Sequence, residues 1–166
     1  MLLLLCGCGF RLRNAQQWPS QLAVLHFSAP DAAFNAQSSL KLFLKSMHVR
    51  LYNAAPFTFK ITNYVYNESQ PTSSNSSIPT TITFSLSMDV SILNKDGTTC
   101  IAPFEVSSAV SQLEPSATTI VRASDPDIQM RLLDNITQSI FTRITSSNLL
   151  TQLDTAQCQI HQYKGK

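Results

Sequence analysis

The 166-residue sequence predicts an α+β domain: two helices packed on one face of a four-stranded sheet, in the order β-α-β-β-β-α. Three patterns carry that prediction. Ile82, Phe84, Leu86, Met88, Val90 and Ile92 alternate strictly with Thr83, Ser85, Ser87, Asp89 and Ser91. That period of two specifies a long strand with one dry face and one hydroxylated face. Ile128, Leu132, Ile136, Ile140 and Ile144 recur at every fourth position, which is the apolar stripe of a helix. Phe34, Leu40, Phe43, Leu44 and Met47 recur at helical spacing as well and define an earlier helix over Ala33 to Met47.

The remaining elements follow in order. Residues 14–21 are polar and link the N-terminus to the body, and Trp18 and Pro19 mark where folding begins. Leu22 to Phe27 is a short apolar run, read as the first strand. Ser28 to Asp31 is turn chemistry, with an Asp able to accept the free amides of a first helical turn. Phe57, Phe59, Ile61 and Val65 alternate with Thr58, Lys60, Thr62 and Tyr64, which indicates a second strand. Asn67 to Pro79 has almost nothing to bury and reads as a loop rich in turn formers. After the long strand, Asn94-Lys95-Asp96-Gly97 is a hairpin turn in which Gly97 is free to take positive φ. The return strand runs from about Cys100 to Val110, and Pro103 puts it at an edge or gives it a bulge, because proline has no amide hydrogen. Ser124-Asp125-Pro126-Asp127 starts the second helix with a cap, an early proline and early acids. Leu133 and Phe141 widen its apolar stripe. From Leu149 the helix continues briefly, and the chain then becomes a polar tail over residues 151–166.

Composition narrows the function. Charged residues are 13 % of the chain, about half the usual ~25 %. The net charge of +2 gives no footprint for nucleic acid. Ser and Thr number 36, so polarity comes from hydroxyls rather than ions. A body of that kind suits contact with a larger polar wall.

The first thirteen residues carry the sharpest motif. A run of leucines leads to Leu5-Cys6-Gly7-Cys8, and the sequence then turns polar. This is the form of a lipoprotein signal: an apolar segment, small residues before the cut, and a cysteine thiol to receive diacylglycerol. Cleavage after Gly7 makes residues 1–7 the signal remnant and leaves Cys8 as the lipidated N-terminus of a linker reaching residue 21. Stable anchoring needs two or more acyl chains, and such a cysteine carries three. With Cys6 removed and Cys8 modified, only Cys100 and Cys158 remain. In an oxidising compartment they pair, and otherwise they are two separate buried thiols. His26, His48 and His161 are scattered, so no zinc spacing exists, and no metal or cofactor is expected. No Gly-rich phosphate loop and no Gly-x-Ser-x-Gly elbow occurs. Asp89 and His26 read as a solvated carboxylate and a rim histidine. The expectation is a protein that is not an enzyme.

Cys8-Gly9-Phe10-Arg11-Leu12-Arg13, with Pro19 following, resembles the mature N-terminus of the LPS-assembly lipoprotein LptE family. The order of elements is similar over residues 8–150. Ile101-Ala102-Pro103 before Phe104 and Val106 looks like the family's last strand, and the stretch from Arg122 to Met130 like the entry to its second helix. The resemblance implies an outer-membrane lipoprotein on the periplasmic side that plugs the β-barrel LptD, assists its assembly and binds lipopolysaccharide in transit. It implies palmitate on Cys8 and a phosphate-binding role for Arg122. A second basic position of the family falls in the loop Asn67 to Pro79, which here holds no Lys or Arg, and Lys60 on the neighbouring strand is the candidate to compensate. The alternative is an envelope lipid-binding or structural lipoprotein of another pathway.

Overall fold

The computed structural model describes residues 17–69, 80–114, 126–153 and 158. Its elements are β1 (Val24–Ser28), α1 (Phe34–Ser46), β2 (Arg50–Leu51), β3 (Phe57–Ser69), β4 (Thr80–Asn94), β5 (Thr99–Glu114), α2 (Pro126–Ile144) and α3 (Ser147–Leu153). Single 3₁₀ turns at Ser20–Leu22 and Asp31–Ala33 precede β1 and α1. The α+β class holds, but the sheet has five strands, not four, in the order β2-β1-β3-β4-β5. The extra strand is β2, which runs parallel to β1. Backbone bonds join it to β1, from Arg50 N–H to the Ala23 carbonyl at 2.8 Å and from Tyr52 N–H to the Leu25 carbonyl at 2.9 Å, and Leu51 packs against the core. A two-residue strand has no period, so no side-chain pattern announces it. A third helix, α3, accounts for the brief continuation expected after Leu149.

β4 is the spine. Its six alternating apolar residues, Ile82 to Ile92, are at most 2 % exposed. Phe57, Phe59 and Ile61 of β3 and Ile101, Val106 and Val110 of β5 join them on the same face. α2 lays Ile128, Leu132, Ile136, Ile140 and Ile144 onto this surface, all buried as their spacing predicts. α1 contributes Ala36, Leu40 and Leu44. Phe34 corrects the reading of that helix. It sits six residues before Leu40, off the buried stripe, and is 75 % exposed. The small Ala33 and Ala36 take its place inside.

One residue re-aims half of β3. Thr62 pairs with Asp89, but the next partner pair is Val65 with Ser87, so β3 has one residue more than β4 across this step. Asn63 takes φ +50° and donates its amide hydrogen to the Asp89 carboxylate. Beyond this bulge the facing inverts. Tyr64 and Tyr66 pack toward the core, and Val65 is 44 % exposed on the opposite face. The sequence alternation grouped Val65 with Phe57, Phe59 and Ile61, and Tyr64 with Thr58, Lys60 and Thr62, because it ran one period through the extra residue. A β-branched residue at this left-handed position costs about 1–2 kcal/mol, and the lost hydrogen bond adds about 1 kcal/mol. Asn63→Val therefore lowers unfolding stability by about 2–3 kcal/mol in urea, and Asn63→Gly, which keeps the conformation, by about half as much.

β3 then runs on to Ser69, with Asn67, Glu68 and Ser69 paired to Ser85, Phe84 and Thr83. The loop expected from Asn67 thus begins later. These residues bury little, and ladder hydrogen bonds rather than apolar contact keep them in the sheet. β5 does what Pro103 requires twice over: it is an edge strand, and its register shifts between Val90 and Ile92 of β4. At the hairpin, Asn94 Oδ1 accepts from the amides of Asp96 and Thr98, both at 2.9 Å, and Gly97 has φ +83°.

The two ends of the body differ. Trp18 donates its indole N–H to the Leu22 carbonyl at 3.1 Å and meets the Phe43 ring edge-on at 6.2 Å. This fixes Trp18 at the end of the body that carries the β4–β5 hairpin. At the same end Cys100 and Cys158 form a disulfide, with a Cα–Cα distance of 5.5 Å, so the pairing alternative is the one realised. Ser69, Thr80, Glu114 and Pro126 lie at the opposite end, where the connections 70–79 and 115–125 leave and enter. Strand β4, at ~3.3 Å per residue, sets these ends about 50 Å apart.

Candidate functional site

All three helices pack on one face of the sheet, and among the described residues no helix covers the other, although Ser91 on that face is buried at 4 % exposure. The register arranges that open face in rows across β3, β4 and β5. Nearest the β4–β5 hairpin, Thr58 lies between His26 and Leu93, and in the row after it Lys60 lies between Ser28 and Ser91. The next row is Thr62, Asp89 and Glu105. Beyond the bulge come Val65–Ser87–Ser107, Asn67–Ser85–Ala109 and Ser69–Thr83–Ser111. These three rows hold no ionisable side chain. They are flat, because small residues dominate, and the Thr83 and Ser111 hydroxyls bond to each other at 3.0 Å. The charged groups of the face are therefore confined to the end near the chain start, and the far half is a surface of hydroxyls, amides and methyls.

Two recesses involve both α1 and α2 among the described residues. A cavity of about 170 Å³ lies at the N-terminal ends of α1 and α2, with Tyr64, Tyr66, Asn35 and Gln129 around an apolar floor that includes Leu86 and Leu132. The Asn63 bulge turns both tyrosines into it. Burial pushes the Tyr64 hydroxyl above its ordinary range, and Tyr66 is raised by burial first and then by the charge of Glu68. A shallower groove of about 590 Å³ runs between the outer sides of the same helices, along Leu42, Phe43, Met130 and Leu133. Leu42 is 68 % and Met130 56 % exposed there. Among the described residues no group of three His, Cys, Asp or Glu side chains is placed to hold a metal ion.

Of the site residues singled out from sequence, only Lys60 lies among the described residues. Cys8 and the linker to residue 16 lie outside the described residues, as do Arg122, the Ser124-Asp125 cap and the tail beyond Cys158. Lys60 is exposed on the open face, four residues into β3. The connection that carries Arg122 leaves β5 at Glu114, level with Ser69 and Thr80. At ~3.3 Å per residue, Ser69 is about 30 Å from Lys60 along the strand. Sequence reasoning missed the contribution of β5 to the open face. Glu105, Ser107, Ala109 and Ser111 were legible as the polar half of that strand's alternation, but only its apolar half was read.

No family model and no curated protein sequence matches the chain. Solved structures do. A minor lipoprotein from Acinetobacter baumannii superposes with a TM-score of 0.62 at 18 % identity, covering 76 % of this chain and 93 % of its own. An uncharacterised lipoprotein B from Nitrosomonas europaea gives 0.64 at 14 % identity, covering 92 % and 99 %. A rare lipoprotein B from Shewanella oneidensis gives 0.53 at 13 % identity, covering 78 % and 96 %. The chain shares its fold with bacterial lipoproteins. At these identities the likeness is one of fold.

Proposed function

We propose that this protein is a lipid-anchored, non-enzymatic lipoprotein on the periplasmic side of the outer membrane. It plugs and assists assembly of an LptD-like lipopolysaccharide-translocating β-barrel, and it binds lipopolysaccharide in transit. The observation that carries the reading is the uncovered sheet face with its uncharged far half. A wall that encloses this surface removes water from it, and unpaired charges there would cost several kcal/mol where paired hydroxyls do not. The lipobox at Cys8 and the fold shared with bacterial lipoproteins support the anchor. The Cys100–Cys158 disulfide supports an oxidising compartment.

Affinity purification from detergent-solubilised membranes recovers a large β-barrel protein with the chain; recovery of the lipoprotein alone overturns the proposal. Cys8→Ala removes radiolabelled palmitate, and label retained by the variant overturns the anchor. A guanidinium forks onto a phosphate through charge-assisted hydrogen bonds worth about 1.5–3 kcal/mol. Arg122→Glu accordingly weakens lipopolysaccharide capture at least tenfold and leaves barrel recovery unchanged. Lys60→Glu changes capture less. Equal capture by parent and Arg122→Glu removes Arg122 from the site.

The apolar groove between α1 and α2 favours a second reading, an envelope lipid-binding lipoprotein of another pathway that lodges an acyl chain beside Leu42 and Met130. Depletion separates the two, since loss of the barrel's partner blocks surface lipopolysaccharide and barrel maturation and loss of a general lipid carrier does not.

A further inference from the structure

β5 pairs with β4 on one side only, and among the described residues no strand pairs with its other edge. Protein edges of this length are usually blunted by lysine, proline, bulges or a covering element. Here the proline and the register shifts are confined to the first third, near Pro103. From Phe104 to Glu114 the register with β4 is unbroken, and between Val106 and Leu113 the strand carries no charge. Eleven residues at ~3.3 Å each give about 36 Å of regular edge with every second residue's amide and carbonyl turned outward.

A recess of about 400 Å³ lies along this edge, lined by Ala109, Val110 and Ser111 of β5 and by Arg131, Asp134 and Asn135 of α2. Val110 belongs to the buried face of the strand and Ala109 and Ser111 to the open one, so the edge itself forms the floor. Asn135 donates to the Ser108 hydroxyl at 3.1 Å, and this holds the helix over the strand as the recess's wall.

We infer that this edge receives an extended segment of another polypeptide as a sixth strand, with side chains of that segment seated in the recess beside α2. A backbone is the occupant because a row of outward amides and carbonyls at strand spacing is matched at every rung only by another extended chain. Charge complementarity makes the segment neutral: the edge is uncharged over Val106 to Leu113, and Arg131 and Asp134 offset each other. A different chain fits better than a second copy. Two copies joined along β5 would bring their α2 helices to about one helix diameter, ~10 Å, and present polar Arg131, Asp134 and Asn135 to each other with no apolar seam. A single strand fills the recess without that juxtaposition. The inference does not depend on lipopolysaccharide or on the identity of the barrel.

The test is a cross-linking ladder in the full-length, lipidated chain in its own membranes. A photoreactive benzophenone side chain is placed singly at Ser107, Ala109 and Ser111, and adducts are mapped by mass spectrometry. The expected result is one partner segment bearing all three cross-links, at residues two apart, in the forward or reverse order that a parallel or antiparallel strand dictates. Arg131→Trp, which fills the recess from an exposed helix position, lowers adduct yield at Ala109 at least tenfold, with the melting temperature unchanged. Adducts at twice the chain's mass, cross-links wholly within the chain, adducts to glycolipid alone, sites scattered without the two-residue step, or no adduct at all each overturn the inference. A ladder on a protein other than a β-barrel would sustain it and count against the function proposed above, so the two fail separately.

Discussion

Replacing Cys100 and Cys158 together with alanine lowers unfolding stability by about 4 kcal/mol. The bond closes a loop with a sequence separation of 58. The chain-entropy relation for a cross-link of that span gives a loss of about 4 kcal/mol from the denatured state's constraint. Both sulfurs are buried, at 5 % exposure each, so the pair also seals the end of the core where α3 meets β5. α3 has seven residues, too short to persist alone, and it buries Leu153 against the body. Without the bond the amides of Ser147–Leu153 therefore exchange with solvent first, before the sheet loosens. The double variant is the one to make, because a single replacement leaves a reactive thiol behind. Denaturant midpoints for parent and variant, with the parent also measured after reduction, check the figure. Reduced parent and double variant should coincide, and a difference between parent and variant under ~1 kcal/mol would show that the fold does not rely on the cross-link. Because most domains are stable by only about 5–15 kcal/mol, such a loss ties persistence of the body to an oxidising compartment.

How much of this could be read from the residues depends on where the signal resides. β4 and α2 were legible nearly to the residue, since each buries one face completely and side-chain periodicity reports burial. Phe34 misled because a large apolar residue two turns from a stripe looks like part of it, whereas the helix approaches the sheet through Ala33 and Ala36. β2 and the last three residues of β3 were illegible for a different reason: backbone hydrogen bonds hold them, and backbone bonds leave no mark on composition. The inversion at Asn63 hides in the same way. An unbroken alternation of polar and apolar residues gives no hint that one residue is extra, and only its pairing with β4 reveals that Tyr64 and Val65 exchange sides. The open face was foreseen as hydroxylated from β4 alone. Its division into a charged near end and an uncharged far half emerged when Lys60, Asp89 and Glu105 fell into adjacent rows.

That division makes the sharpest test of the proposed function, because it separates what a side chain does to the fold from what it does to an enclosing partner. Ser85 lies in the middle of the uncharged rows, with Asn67 on one side and Ala109 on the other. Ser85→Lys meets no like charge across the strands, and in the isolated body its ammonium extends into water, so stability changes by no more than about 0.5 kcal/mol. Inside a wall that excludes water the same ammonium has no carboxylate within a row of it. The effective penalty for burying it unpaired is several kcal/mol, which is a loss of at least a hundredfold in association. The expected result is an unaltered melting temperature together with loss of the co-purified β-barrel. Lys60 provides the internal comparison. It already bears a charge on the same face, in the near end, and Lys60→Ser should leave recovery unchanged. If Ser85→Lys is recovered with the barrel as well as the parent is, the far half faces solvent, and the reading of this surface as the one enclosed by the wall is wrong.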